Sequence, residues 1–525
     1  MSRNRTAAVV ACLIATTGPA IASEDPTTFE AGRAAVARES KRPPDRGTAK
    51  NVILFLGDGL GVSTVTAARI LEGQLRGEPG EENLLAFETF PHVALIKTYN
   101  TNQQTPDSAG TMTAIVTGEK TRAGVLSVNR SVPRGEFTAV AGNELPSLLE
   151  RAEDRGLATG IVTTTTITHA TPAALYAHSP ERGWENDDTL PPAARAAGFP
   201  DIARQLVEFS HGDGIEVALG GGRQHLRSSG LADPEYPEQM GRRRDGRDLT
   251  AEWVASRKDA AFVWNREQLL GTDPKRVRHL LGLFEPGHMH FEVDRSGDRA
   301  GEPSLSEMTT AAIEVLKQDP DGYVLMVEGG RIDHAHHSGN AYRALTETIE
   351  FSNAVRAAMA ATQSDDTLVV VTADHGHVMT IAGYPTRGHD ILGKVVSNDR
   401  RGEPTHDYSR DSLGHPYTTL GYQNGPGAIR SRAGSEREPV HEHPDDPAIG
   451  PATSRKPDLA KVETAAPDFL QPAAVPLLSE THSADDVAAY ASGPRAQLFH
   501  GVREQSYIYH ALVEALGWNR GAAGP

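Results

Sequence analysis

Four times along this 525-residue chain a short apolar run stops at side chains that bind metals or move protons. Residues 51–56, NVILFL, end at Gly57-Asp58-Gly59, and residues 158–164, ATGIVTT, lead to Thr168-His169-Ala170-Thr171. Residues 323–327, YVLMV, end at Glu328-Gly329-Gly330, and residues 367–372, TLVVVT, end at Ala373-Asp374-His375-Gly376-His377. Such short runs without polar alternation mark strands buried on both faces. Helical patterns over 63–75, 305–317 and 341–362 separate them, so the strands run parallel and gather their carboxyl ends on one rim. Open sheets of this kind bind ligands there. The expected fold class is α/β, a large, mostly parallel sheet sandwiched by helices.

The densest chemistry lies in residues 328–337, EGGRIDHAHH. If a helix starts near Arg331, Asp333 and His337 stand four apart on one face and can share an ion. Two carboxylates and three imidazoles, His334, His336 and His337, after a buried strand point to a metal or catalytic role. Asp58 between glycines reads equally as a turn former or a ligand. In TPDSAGT, Pro106 and Asp107 put Ser108 at a helix N-terminus, where free N–H groups favour an anion. Nothing local separates a capping residue from a nucleophile there. Arg182 in SPERGW, taken alone, reads as a solvated surface arginine. Mixed Asp/His sets suit zinc, and an all-oxygen set of Asp, Thr and Glu suits magnesium. A serine ionised beside two zincs would need no histidine base, an arrangement that predicts phosphoryl transfer.

A formal net charge of −17 argues against nucleic acid or an anionic membrane as partner. An anionic substrate would then need bound divalent ions as its local positive charge. Residues 1–22 read as a secretory signal: Arg3 and Arg5, an apolar stretch, then Ala20-Ile21-Ala22. The stretch is too short to span a bilayer. It holds Cys12, the only cysteine, where lipid attachment ranks second because so little apolar sequence precedes it. The expected product is periplasmic or secreted and free of disulfides. Residues 23–49 form an N-terminal arm, and residues 50–386 with 481–518 the catalytic domain. Residues 231–301 read as a charged peripheral excursion anchored by Trp253, Trp264 and Phe284. Residues 387–480, rich in Pro, Gly and charge, read as an inserted surface subdomain.

Taken together, NVILFLGDGLGVSTVTAARIL, TPDSAGTMTA, THATPAALYAHSPERGW, LFEPG, VEGGRIDHAHHSGNAYRALTET, VVVTADHGH, YQNGPG and SETHSADDVA resemble the alkaline phosphatases, in their metazoan-type branch, from about residue 50 to 518. The resemblance implies an alkaline phosphatase-like fold, with the 387–480 insert as a crown-like region. It implies phosphomonoester hydrolysis through a phosphoserine on Ser108, with Arg182 clamping the phosphoryl group, which replaces the surface reading. It implies two Zn2+ and one Mg2+ per subunit. One zinc would be held by Asp333, His337 and His482, the second by Asp58, Asp374 and His375, and magnesium by Asp58, Thr171 and Glu328. His169 and His334 would lie beside the magnesium; that pairing implies a high magnesium requirement and a strongly alkaline optimum. Glu235, the Phe284 carbonyl, Glu285 and Glu302 resemble the branch's Ca2+ site. A homodimer is implied as well. The alternative within the superfamily is a phosphodiesterase, which generally uses threonine where this chain has Ser108. A phosphate-binding protein without turnover is disfavoured by the complete set of Ser108, Arg182 and ligand residues.

Overall fold

The computed structural model describes residues 47–428 and 459–518. The signal segment, nearly all of the N-terminal arm and the middle of the insert lie outside the described residues. In chain order the strands are β1 (Asn51–Gly57), β2 (His92–Lys97), β3 (Ala158–Thr166), β4 (Val217–Gly221), β5 (Ala260–Val263), β6 (His279–Leu283), β7 (Tyr323–Gly329) and β8 (Thr367–Ala373). There follow β9 (Gly376–His377), β10 (Met379–Ile381), β11 (Leu420–Gly425), β12 (Ala473–Pro476), β13 (His482–Ser483), β14 (Val487–Ser492) and β15 (Gly501–Glu504).

Ten strands make one sheet in the order β15-β2-β14-β8-β1-β7-β3-β4-β6-β5. Only β14 runs against its neighbours, β2 and β8. Strands β1, β3, β7 and β8 are buried along their whole length, as continuous apolar runs require when helices cover both faces. The Ala341–Ala361 helix covers one face. Its Phe351 meets Phe55 of β1 edge-on, ring centroids 5.8 Å apart.

Register sets the rim. Leu56 pairs with Glu328 and Gly57 with Gly329, Gly57 with Ala373, and Thr163 with Glu328. The four strands therefore end level, and Asp58, Glu328 and Asp374 emerge side by side.

The expected strands and helices form within a few residues of their predicted ends. One expectation fails. Residues 231–301 are not a peripheral excursion, because they supply β5 and β6, and β6 is fully buried against β4. Its HLLGL core is short and sits between charged turns, so it lacks the long apolar signature of the central strands. From the insert, β11 and β12 join β10, which precedes it, in a small separate sheet. The insert is tied to the main body where the Gln74 side chain donates to His389 O at 2.7 Å and accepts from Ile391 N at 3.1 Å.

Candidate metal centre and active site

At the end of β1, Gly59 takes a left-handed φ of 74°, and a Cβ there would lie 2.5 Å from the His377 ring. Only glycine fits both conditions. Its N–H donates to Asp374 Oδ1 at 3.0 Å, locking the β1 turn to the end of β8. Asp58 is fully buried, and neither carboxylate oxygen has a hydrogen-bond partner. Burial, reinforced by Asp374, Asp333 and Glu328, raises it well above the usual carboxylate range. A buried carboxylate left this way calls for a cation.

Three groups of side chains answer. His337 Nε2 and His482 Nε2 each lie 3.3 Å from Asp333 Oδ1, and 3.1 Å from one another. Their other nitrogens are fixed: His337 Nδ1 is 2.6 Å from Glu480 O and His482 Nδ1 is 2.7 Å from Pro106 O. A carbonyl can only accept, so each Nδ1 carries the proton and each Nε2 offers a lone pair. Burial holds His337 at about 4, which keeps that lone pair free at neutral pH. The pairing of β13 with β9, His482 opposite His377, delivers His482 from far along the chain.

The second group is Asp58, Asp374 and His375. His375 Nε2 lies 3.1 Å from Asp374 Oδ2 and 3.5 Å from Asp58 Oδ1. Burial lowers its pKa well below the ordinary histidine value. The third gathers Asp58, Glu328 and His169, with Thr171 Oγ1 and Glu328 Oε1 buried and unpartnered. Glu328 Oε2 is held by Thr163 and Thr165, leaving Oε1 free to turn toward an ion. The donor chemistry fits: imidazole and carboxylate in two groups, and oxygen alone in the third if Thr171 takes the place of His169.

Ser108 is the first residue of the Ser108–Thr117 helix. Its hydroxyl lies 3.2 Å from His375 Nε2, so it faces the second group. The N-cap is Asp107, whose Oδ1 accepts from Gly110 N at 3.1 Å. The other oxygen, Oδ2, accepts from Gly124 N at 2.9 Å and from Arg182 Nη1 at 3.3 Å. Arg182 Nη2 approaches His169 Nε2 at 3.1 Å. Ser108, Arg182, His169, His337 and His482 all line one cavity of about 940 Å3. The surface reading of Arg182 alone is thereby replaced.

Residues 49–518 match the family model described as alkaline phosphatase. The chain is 47% identical to the tissue-nonspecific alkaline phosphatase of Gallus gallus over 484 residues, 91% of this chain and 86% of that one. It is 45% identical to the Homo sapiens tissue-nonspecific isozyme, over the same shares of the two chains. Among solved structures, Thermus thermophilus alkaline phosphatase superposes with a TM-score of 0.63 at 25% identity, covering 91% of this chain and 93% of that chain. This chain belongs to the alkaline phosphatase family. It resembles the metazoan-type branch and is a hydrolase of phosphate monoesters that depends on divalent metal ions.

For an alkaline phosphatase the remaining histidines sort cleanly. His336 is structural: its nitrogens meet Thr64 Oγ1 at 3.0 Å and Tyr422 OH at 2.8 Å. His169 and His334 pack ring to ring, centroids 5.5 Å apart, beside the third group. Sequence reasoning gave no role to His377 or Glu480. His377 Nε2 lies 2.7 Å from Asp333 Oδ1, and its Nδ1 lies 2.5 Å from Glu480 Oε2. Burial alone would lower His377, but the two carboxylates raise it to about 10. The repeated His in ADHGH was the only available signal for it. Glu480, next to a threonine in a polar run, gave none.

Among the residues expected to bind Ca2+, one carboxylate oxygen each of Glu285 and Glu302 lies within 4.8 Å of the other and of a ring nitrogen of His290. All three acids, Glu235, Glu285 and Glu302, are buried, so none is a solvated surface group. Phe284 is buried beside them. Glu235 is engaged by Arg223 at 2.9 Å. Burial, with Glu302 and Glu235, pushes Glu285 up to about 10.

Proposed function

We propose that Ser108 is the nucleophile and that hydrolysis proceeds in two displacements through a phosphoserine. In the first, the Ser108 Oγ–P bond forms as the ester P–O bond breaks, and the departing alcohol takes up a proton. In the second, water breaks the Ser108–P bond, a proton returns to Ser108, and inorganic phosphate leaves. Arg182, held by Asp107, presents its fork to the phosphoryl oxygens. The helix N-terminus beneath Ser108 adds N–H groups facing the same anion.

Asp333, His337 and His482 would hold one zinc, Asp58, Asp374 and His375 the other, and Asp58, Thr171 and Glu328 one magnesium. Once bound, these ions lower the Ser108 pKa and neutralise charge on the entering and leaving oxygens. His169 and His334 sit next to the magnesium ligands. The observation that carries the reading is the Ser108 hydroxyl 3.2 Å from His375 Nε2, inside the cavity that Arg182 lines.

Acid quenching during turnover, followed by peptide mass spectrometry, is expected to find phosphate on Ser108. Ser108→Ala should lose the label and most turnover while keeping its metals. Turnover persisting in that variant, or label on another residue, would refute the reading. Glu328→Ala should weaken magnesium activation and His337→Ala should deplete one zinc; identical losses would overturn the division of ligands. A bis-p-nitrophenyl phosphate rate above that for p-nitrophenyl phosphate would favour the diesterase alternative.

The Glu235, Phe284, Glu285 and Glu302 cluster is assigned to Ca2+. The same reading makes the protein an exported homodimer with the arm and insert at the subunit contact. No helix among the described residues is long and apolar enough to cross a membrane. Sedimentation of the mature protein and N-terminal sequencing, with residue 23 expected first, test these points.

A further inference from the structure

Ser108, Arg182 and the metal-binding side chains take up only part of the cavity of about 940 Å3. Its remaining wall carries Arg242, Arg331, His288 and His334, which the two displacements do not use.

The protons on this wall can be located. Thr166 N donates to His288 Nδ1 at 3.0 Å, and Arg331 Nη1 donates to His334 Nδ1 at 2.8 Å. A backbone amide and a guanidinium only donate, so both Nδ1 atoms are acceptors. In each neutral ring the proton therefore sits on Nε2. Neither Nε2 meets an acceptor among the described residues. The two rings stand 4.5 Å apart between centroids, so their N–H groups serve one neighbourhood.

The arginines beside them are also unspent. Arg331 lies 3.9 Å over the Phe291 ring, and its Nε is buried with no hydrogen-bond partner. Glu347, Glu302 and Asp294 act on it electrostatically, but none forms an ion pair with it among the described residues. Arg242 is exposed, and its guanidinium pairs with no described residue. Glu185 is the acid on this side of the cavity. Its Oε2 is already occupied by the hydroxyls of Thr166 and Thr168, at 2.9 and 2.6 Å. Two guanidinium groups with no carboxylate partner among the described residues, and two N–H donors with no acceptor there, repel a cation and suit an anion.

We propose that Arg242, Arg331, His288 and His334 form a second anion subsite, which receives an acidic group carried by the leaving group. Organic bisphosphates would then be preferred over phosphate esters of neutral alcohols. The proposal rests on the reading of Ser108 as the point of attack, because the subsite is defined relative to a phosphoryl group seated there.

The test compares kcat/KM for propanediol bisphosphate, corrected for its two equivalent phosphates, with that for its monophosphate, hydroxypropyl phosphate. The wild-type ratio is expected to be about tenfold, the worth of one charge-assisted contact. It should fall toward one in Arg242→Ala and in His288→Leu, and with rising salt. Partial misfolding lowers both substrates alike and does not move the ratio. A wild-type ratio near one, or a ratio unchanged in both variants, would overturn the subsite. Loss of one bound metal equivalent in His288→Leu would make the wall a metal site and also overturn it. Failure of the Ser108 reading is a separate outcome, seen as Ser108→Ala hydrolysing both substrates.

Discussion

His377 is clamped between Asp333 and Glu480, 2.7 Å from one carboxylate and 2.5 Å from the other. With its pKa raised to about 10, it carries a positive charge at neutral pH and fixes the orientation of Asp333 beside His337 and His482. Groups that orient a metal ligand typically tune affinity by about 10–100-fold. His377→Ala is therefore expected to weaken binding of the zinc proposed at Asp333 by that factor in a chelator competition. Glu480→Gln keeps a hydrogen-bonding side chain and should cost less. Equal affinity in His377→Ala and wild type would show that Asp333 needs no such support.

Glu328 gives a pH dependence with a definite sign. Burial, with Asp374 nearby, raises it from 4.5 to about 7. Between those values the metal-free native state binds more protons than the unfolded chain, so this group makes stability fall as pH rises through that window. The deficit is complete above about pH 7 and is on the order of 3 kcal/mol. Metal-free Glu328→Gln should therefore melt above metal-free wild type near pH 8, and the gap should close on acidification. Added magnesium should reverse the order, because Gln cannot supply the charge. Calorimetry at the two pH values, with and without magnesium, decides it.

The central strands were legible because β1, β3, β7 and β8 are buried on both faces and write that burial as unbroken apolar runs. Asp58, Glu328 and Asp374 were legible for the same reason, since each follows such a run directly. β6 escaped notice because HLLGL is short and lies between charged turns. His482 could be joined to Asp333 only through family resemblance, since its partner strand β9 is two residues long. His377 and Glu480 act through another ligand, and no spacing rule announces such a role. The free nitrogens of His288 and His334 depend on which neighbours donate to their rings, which only coordinates can show.

Asp107 does two jobs, and they separate experimentally. Through Oδ1 it caps the helix that carries Ser108; through Oδ2 it holds Arg182 at 3.3 Å. Asp107→Asn keeps a capping oxygen but removes the charge that restrains the guanidinium. Its expected effect is weaker phosphate binding, read as a rise in the inhibition constant for inorganic phosphate, with little change in Tm. Asp107→Ala should lose about 1 kcal/mol of stability as well. Arg182→Lys keeps the charge but not the fork, and about 10–100-fold of kcat/KM should go with it. Matching Tm losses in Asp107→Asn and Asp107→Ala would mean that charge, not capping geometry, holds the helix start.

The buried acids at Glu235, Glu285 and Glu302 make calcium binding a stability question. Arg223 is shared between Asp233 and Glu235, so Glu285, pushed up to about 10, and Glu302 have no arginine of their own as counter-charge. An ion bound there at about 100 times its Kd would add roughly 2.7 kcal/mol. In a chain of this size that is a rise of a few degrees in Tm. Calcium added to chelated, zinc- and magnesium-loaded protein should produce it, and Glu285→Gln should abolish the increment while raising the Tm of the calcium-free form near pH 8. His290 supplies the competing arrangement, with Nδ1 3.3 Å from Glu302 and 3.6 Å from Glu285. If calcium leaves Tm unchanged and His290→Ala lowers it, the imidazolium replaces the ion and the calcium assignment fails.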